Sequence, residues 1–334
     1  MPPLYIVEQG AQLRLEQRRL VVEKNGQRIA RVPLAHTNAV IIFGNAHITT
    51  PALKGLLRAG VDVVFLTRYG RYEGRLVGPV SKFGLLRQAQ YALAHDHAFG
   101  LKLAQTLVNG KCLNMRTTLL RRNRSLQNAA IAASAERIGA LAERAWRTQR
   151  LNALRGVEGS AAAAYFSVLR HLFKRPWPFY KRVRRPPTDP INVLLSFGYT
   201  LLTRELEASV LLVGLDPYLG FLHGTAYGRP SLALDLVEEF RAIVVDAVVL
   251  RCLNSELITA EDFTAGDNPN RPLVLSDDGR RRFLQAFETR VMTPITHPVT
   301  GEKMTYRRAF EIQTRLLARC LRDKTPRYQP FLVR

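Results

Sequence analysis

Apolar and polar residues change rhythm once along this chain. Up to about residue 78 they alternate with a period near two, and beyond it the period becomes 3.6. A strand sends successive side chains to opposite faces, whereas a helix gathers i, i+3 and i+4, so the switch predicts a β-rich front and a helical remainder. In the front, Leu4 to Val7 is a short apolar run, and QLRLEQRRLVVEKNGQRIARVPL alternates around Asn25-Gly26. That dipeptide predicts a hairpin, because both turn residues must accept positive φ. NAVIIFG and VDVVFLT read as buried strands, and a second hairpin is expected around Tyr69-Gly70 with EGRLVG returning. Between these strands Thr50 can cap a short helix, with Pro51 at its first position and Gly60 at its end. Several short strands with turn signals lead us to expect a small β-sandwich-like module.

Past Gly78-Pro79, the stretches FGLLRQAQYALAHDHAFGLKLAQTLV, AAIAASAERIGALAERAW, AAAAYFSVLRHLF and INVLLSFGYTLLTRELEASVLLVGL read as helices. Two more are expected after Pro230 and after Ser276, the latter capped by Ser276 with Asp277 and Asp278 at its positive end. A final helix is expected from about Tyr306 to Arg322. The fold class is therefore α+β: a β-strand-rich domain over 1–80, a linker over 81–90, an all-α domain over 91–325 and a tail over 326–334. Two loops stand out. KRPWPFYKRVRRPPTDP (Lys174 to Pro190) is rich in proline, base and aromatic residues, and the polar stretch from about Thr264 to Pro272 is expected to be mobile.

Composition narrows the partners. Among 334 residues, 49 Lys and Arg against 27 Asp and Glu leave a formal charge of +22, which points to a polyanion, most simply nucleic acid. A protein that is merely basic at its surface is the plain alternative. A hydrophobic content of 47% excludes a disordered chain. No apolar run approaches the roughly 20 residues that span a bilayer, and MPPLYIVEQG lacks the pattern of a signal peptide, so a cytoplasmic protein without a membrane partner is expected. Cys112, Cys252 and Cys320 are far apart and form no C-x-x-C pair, which supports neither a disulfide framework nor a cysteine zinc site. Phosphate-loop, G-x-S-x-G and H-E-x-x-H patterns are all missing from the sequence.

Three places could carry chemistry. Glu158 in GVEGSAAAAYF is flanked by Gly156 and Gly159, small residues that let another backbone or a ligand come close. It reads equally as an exposed glutamate at a helix start. His223 closes GFLH before Gly224, where it could be a ligand or merely satisfy the last carbonyls of an apolar helix. Asp235, Glu238 and Glu239 share one face of the helix after Pro230, as a metal face or as a solvated acidic one. Taken together, one imidazole and carboxylates from separate helices suit Mg²⁺ or Mn²⁺ and phosphodiester chemistry. Arg241 lies three residues after Glu238 and could neutralise a phosphate. Lys181, Arg182, Arg184 and Arg185, with Trp177, Phe179 and Tyr180, could grip a nucleic-acid backbone and stack bases, or could simply line an ordered surface crossing.

At these motifs the sequence resembles a known family. GVEGSAAAAYF, RRPPTDPINVLLSFGYTLL, GFLHGTAYGRPSLALDLVEEFR and AVIIFGNAHITTPALKGLLRAGVDVVFL are similar to the signature blocks of CRISPR-associated protein one, in the family's order, from about Tyr5 to about Arg322. The resemblance implies a DNA integrase and endonuclease of CRISPR spacer acquisition, with an amino-terminal β-sandwich and a helical catalytic domain. It implies that Glu158, His223 and Glu238 hold the metal, that Asp235 supports the site and that Arg241 contacts DNA. It implies a homodimer, two of which flank a dimer of CRISPR-associated protein two in a four-plus-two complex. The reaction would be attack of a fragment's 3′-hydroxyl on a phosphodiester at the edge of a CRISPR repeat in double-stranded DNA. On charge alone the competing reading is a non-catalytic nucleic-acid scaffold, and a hydrolase of small phosphates is a third.

Overall fold

After a short strand β1 (Leu4–Ile6), the first alternating stretch folds as three strands rather than two: β2 (Gln12–Glu16), β3 (Arg19–Lys24) and β4 (Gln27–Pro33). Asn25 and Gly26 make the expected turn between β3 and β4, with φ of 51° and 76°. The turn between β2 and β3 falls on Gln17 and Arg18, at φ 45° and 62°. Those residue types carry no turn signal, because left-handed backbone is costly for them. The chain continues through β5 (Ala39–Phe43), β6 (His47–Ile48), a helix α1 (Thr50–Arg58), β7 (Asp62–Leu66) and β8 (Tyr72–Leu76). This is a computed structural model, and it describes residues 3–37, 39–68, 72–76, 78 and 83–333. The expected second hairpin is seen in its strands, since β7 and β8 pair antiparallel, while its turn at Tyr69-Gly70 lies outside the described residues, as do Pro79 and the first two residues of the expected linker.

These strands form two four-stranded sheets, in the orders β1-β5-β7-β8 and β4-β3-β2-β6. β5 and β7 run parallel, so the chain must cross over between them, and α1 lies in that crossover. Thr49 rather than Thr50 caps α1, accepting a hydrogen bond from the Ala52 amide. The helix closes with Gly60 at φ 68°, where the Gly60 amide donates to Leu57 and the Val61 amide to Leu56. Leu13, Leu20 and Val22 from one sheet, Val40, Ile42 and Val63 from the other, and Leu56 of α1 bury together in one core cluster.

The chain divides into two compact units, Met1–Ser81 and Lys82–Arg334. The second contains α2 (Gly84–His95), α3 (His97–Leu126), α4 (Ala129–Arg147), α5 (Leu151–Leu169), α6 (Pro190–Val213), α7 (Ser231–Phe240), a π-helical stretch (Arg241–Asp246), α8 (Ala247–Asn254), α9 (Asp277–Val291) and α10 (Tyr306–Arg322). Residues 84–90, expected as linker, belong to α2. The first helical stretch of the sequence breaks in two because Asp96 caps α3 through the Ala98 and Phe99 amides. Ser276 caps α9 as expected, accepting from the Gly279 amide.

The unit is not all-α. Strands β9 (Phe263–Asn268) and β10 (Arg271–Leu275) pair antiparallel, and so do β11 (Pro294–Thr296) and β12 (Lys303–Thr305). The polar stretch expected to be mobile is therefore the first of these hairpins. Gly266 hides the strand from a sequence reading, yet a Cβ there would sit 1.5 Å from the Arg271 carbonyl oxygen, so glycine is what the close pairing demands. Residues 323–333 lack regular structure, but Tyr328 and Phe331 are buried, so this end is packed rather than loose. Among the described residues no helix is long and apolar enough to cross a membrane.

Candidate active site

Helix α3 is buried on nearly every side from Leu103 to Met115, and in the middle of that stretch sits Lys111. An ammonium with 3% side-chain exposure needs an anionic partner, because an unpaired buried charge is prohibitively costly. It has two. Lys111 Nζ donates to Glu158 Oε1 of α5 and lies 2.5 Å from Glu238 Oε2 of α7. Glu158 is not at a helix start. It sits two turns into α5, with 23% of its side chain exposed. The flanking glycines do not serve close packing within the chain, since a Cβ on Gly156 or Gly159 would meet nothing within 4 Å. They leave the surface of α5 bare beside Glu158.

Asp235, Glu238 and Glu239 form no solvated face, for all three are buried. Burial alone would raise the Glu238 carboxyl, but Arg241 first, then Lys111 and His223, outweigh it and hold it well below the usual carboxylate range. Its Oε1 accepts from Arg241 Nη1 at 3.0 Å. Its Oε2, although next to Nζ, accepts no well-directed hydrogen bond. Glu239 faces elsewhere. It accepts from the Phe331 amide, Gln313 and Tyr328, and burial pushes it up to about 7.

His223 does not end a helix. α6 stops at Val213, with Gly214 in the left-handed region at φ 96°, and His223 lies in the irregular segment before α7. Asp235 holds that segment. Its Oδ2 accepts from the Phe221 and Leu222 amides and its Oδ1 from the His223 amide. His223 Nδ1 lies 2.7 Å from the same Oδ1. A carboxylate accepting there makes Nδ1 a protonated nitrogen and leaves Nε2 on the Glu238 side, 3.9 Å from Oε1. Among the described residues, no three His, Cys, Asp or Glu side chains are gathered closely enough to hold an ion as they stand. At this site the ammonium of Lys111 is interposed between the two glutamates.

Arg241 opens the π-helical stretch, with its guanidinium 3.9 Å from the centroid of the Tyr199 ring. Tyr199 in turn donates to Asp246 at 2.5 Å. Burial lifts the Asp246 carboxyl to about 6, against the pull of Tyr199 and Arg241. A small cavity beside Lys111 is lined by Tyr199, Arg241, Asp246 and Arg184.

The basic loop divides. Arg182 is committed to the fold, donating to Val183, Asn192 and Ser196, and burial pushes it down to about 10. Buried Asn192 completes the arrangement by donating to the Lys181 carbonyl and accepting from the Val183 amide. Lys181, Arg184 and Arg185 are exposed. Phe179 is a core residue and cannot stack a base, and Trp177 packs edge-on against Phe263. Tyr180 alone of the three aromatics is exposed, at 80%. Sequence reasoning missed Lys111, Tyr199 and Asp246. The usable signal was LAQTLVNGKCLNM, a stretch too apolar all round to carry a lysine without a partner.

The sequence matches the family described as CRISPR associated protein Cas1 over residues 4–289. It is 40% identical, over 99% of this chain and 97% of the relative, to a protein named CRISPR-associated endonuclease Cas1 3 from Thermus thermophilus. A solved Cas1 protein from Thermotoga maritima superposes with a TM-score of 0.82 at 25% identity, covering 96% of this chain and 97% of that one. A chain of a structure described as a Cas6-RT-Cas1–Cas2 complex superposes with a TM-score of 0.83 at 25% identity, covering 99% of this chain and 36% of that longer one.

Proposed function

The chain belongs to the Cas1 family of CRISPR-associated proteins, and on that premise we propose that it is a divalent-metal-dependent DNA integrase and endonuclease. It joins the 3′-hydroxyl of a captured DNA fragment to a CRISPR repeat. The observation that carries this reading is that one buried ammonium, Lys111, contacts both Glu158 and Glu238, while His223 Nε2 lies 3.9 Å from the other oxygen of Glu238.

The residues fit Mg²⁺ or Mn²⁺. Two carboxylates already turn toward a positive charge, one buried oxygen of Glu238 lacks a directed hydrogen bond, and the neutral ring of His223, with Nδ1 held by Asp235, would offer Nε2 as a ligand. Glu158, Glu238 and His223 would hold the ion, which when bound would supply positive charge to an attacking hydroxyl and a departing oxygen. Asp235 keeps the His223 ring in one tautomer and one orientation. The bare surface at Gly156 and Gly159 lets a DNA backbone approach Glu158 without meeting a side chain. The exposed Lys181, Arg184 and Arg185 would neutralise its phosphates.

In the joining step one P–O bond forms to the fragment's 3′-oxygen and one breaks at the repeat strand, whose 3′-oxygen leaves and takes up a proton. Bond number is conserved, so no covalent enzyme intermediate is required. With water as attacker the same step is strand cleavage. The partners proposed are double-stranded DNA, a second copy of this chain, and a CRISPR-associated protein two dimer flanked by two such pairs. The Cas6-RT-Cas1–Cas2 description of one structural relative supports the third of these. No observation on the site favours a non-catalytic scaffold, for which a histidine clamped by a buried carboxylate would have no use.

The test incubates the protein with a duplex bearing free 3′-hydroxyls and a repeat-containing plasmid, in Mn²⁺ or Mg²⁺. Covalent joining is expected with the wild type and is expected to fall at least about 100-fold with His223→Ala, the scale of losing one group that positions charge at the reacting centre. Equal joining by His223→Ala would overturn the proposal.

A further inference from the structure

A lysine buried between two carboxylates that are themselves proposed to hold a metal asks what it does there. Lys111 Nζ touches both Glu158 and Glu238, and it does so from a helix that supplies neither of them. Without it, two carboxylates would converge in a largely desolvated place, which folding cannot tolerate unless one is neutralised. Arg241 offsets only Glu238, through the other oxygen of that carboxylate. Glu158 has Lys111 as its one ion-pair partner among the described residues.

We propose that Lys111 is a positioning residue whose ammonium stands in for the divalent cation, holding Glu158 and Glu238 together when no metal is bound and exchanging with the metal when it arrives. The inference rests on the metal-binding reading of the site given above. The exchange needs somewhere for the ammonium to go. The cavity that Lys111 lines with Tyr199 and Asp246 adjoins it; Arg184 and Arg241 share that lining, so withdrawal is toward the Asp246 carboxylate, the one anionic group on its wall. The chemistry accounts for an otherwise odd pairing: a lysine is long and flexible enough to withdraw, whereas an arginine clamped on both glutamates would not readily be displaced. The lysine and the metal then compete for one gap, so the lysine sets how tightly the metal binds.

The experiment compares wild type, Lys111→Gln and the double variant Lys111→Gln/Glu158→Gln, each stripped of metal. Without metal, Lys111→Gln is expected to melt about 6 to 12 °C lower, as for a broken buried ion pair. The double variant is expected to recover part of that loss, because one of the two repelling carboxylates is gone. Calorimetric titration with Mn²⁺ is expected to give at least a tenfold tighter Kd for Lys111→Gln than for wild type, and a larger rise in Tm on adding Mn²⁺. A lysine with a merely structural role predicts the reverse, equal or weaker Mn²⁺ binding, and that result overturns the proposal. A double variant no more stable than the single one also overturns it. Should Lys111→Gln not fold, a crystal structure of Mn²⁺-loaded wild type decides: Nζ withdrawn from the gap supports the exchange, and Nζ still bridging both glutamates overturns it. If Mn²⁺ binds to neither protein, the metal-dependent function and the exchange fall together, whereas the first two failures leave that function standing.

Discussion

Single side chains in this site are set by burial against charge, and Asp246 is the sharpest case. It is buried, donated to by Tyr199, and lifted from an ordinary 3.8 to about 6. The folded protein therefore holds a proton on Asp246 more tightly than the unfolded chain does. The stability this contributes is fully present below about pH 4 and is lost as the pH rises to about 6. At about 1.4 kcal/mol per pH unit the difference comes to roughly 3 kcal/mol. Denaturant unfolding of wild type and Asp246→Asn across pH 4 to 7 measures it. The stability of wild type relative to the variant is expected to fall by roughly that amount through this window, and a flat difference would refute the assignment. Lys111 belongs to the same scale. Its partners, Glu158 and Glu238, stand 47 and 127 positions away, a meeting that no local pattern records.

Among the elements, those with strong local signals were legible and those fixed by distant contacts were not. Asn25-Gly26 and the Ser276 cap could be read because turn and cap chemistry resides in the residues themselves. The turn on Gln17 and Arg18, the hairpin through Gly266 and the loop position of His223 are imposed by sheet pairing and by Asp235, so the sequence carried no mark of them. The segment after α10 is another such element. Phe331 packs against Phe240, Tyr306 and His297. Its carbonyl accepts from Asn114, one turn beyond Lys111, while its amide donates to Glu239, the neighbour of Glu238. This end of the chain thus braces α3 and α7, two of the three helices that carry the site. Phe331→Ala is expected to cost about 3–5 kcal/mol, read as a lower denaturant midpoint at unchanged slope. A loss below about 1 kcal/mol would show that the segment is only draped over the helices.

For the whole molecule, the charge of +22 stands apart from the fold and bears on association. If the proposed DNA contacts use many of the exposed lysines and arginines, affinity for a duplex is expected to fall at least about 1,000-fold between 50 and 200 mM salt. Fluorescence anisotropy at several salt concentrations checks this, and a shallow dependence would point to few phosphate contacts. The same basic surface leaves acidic groups scarce, which makes the use of Asp235 instructive. Its two oxygens are spent on three successive amides and one ring nitrogen. The bend of that segment and the aim of the imidazole are consequently a single event. The entropy of pointing the ring is surrendered once, as the polypeptide collapses, and is not charged again at each encounter with a guest.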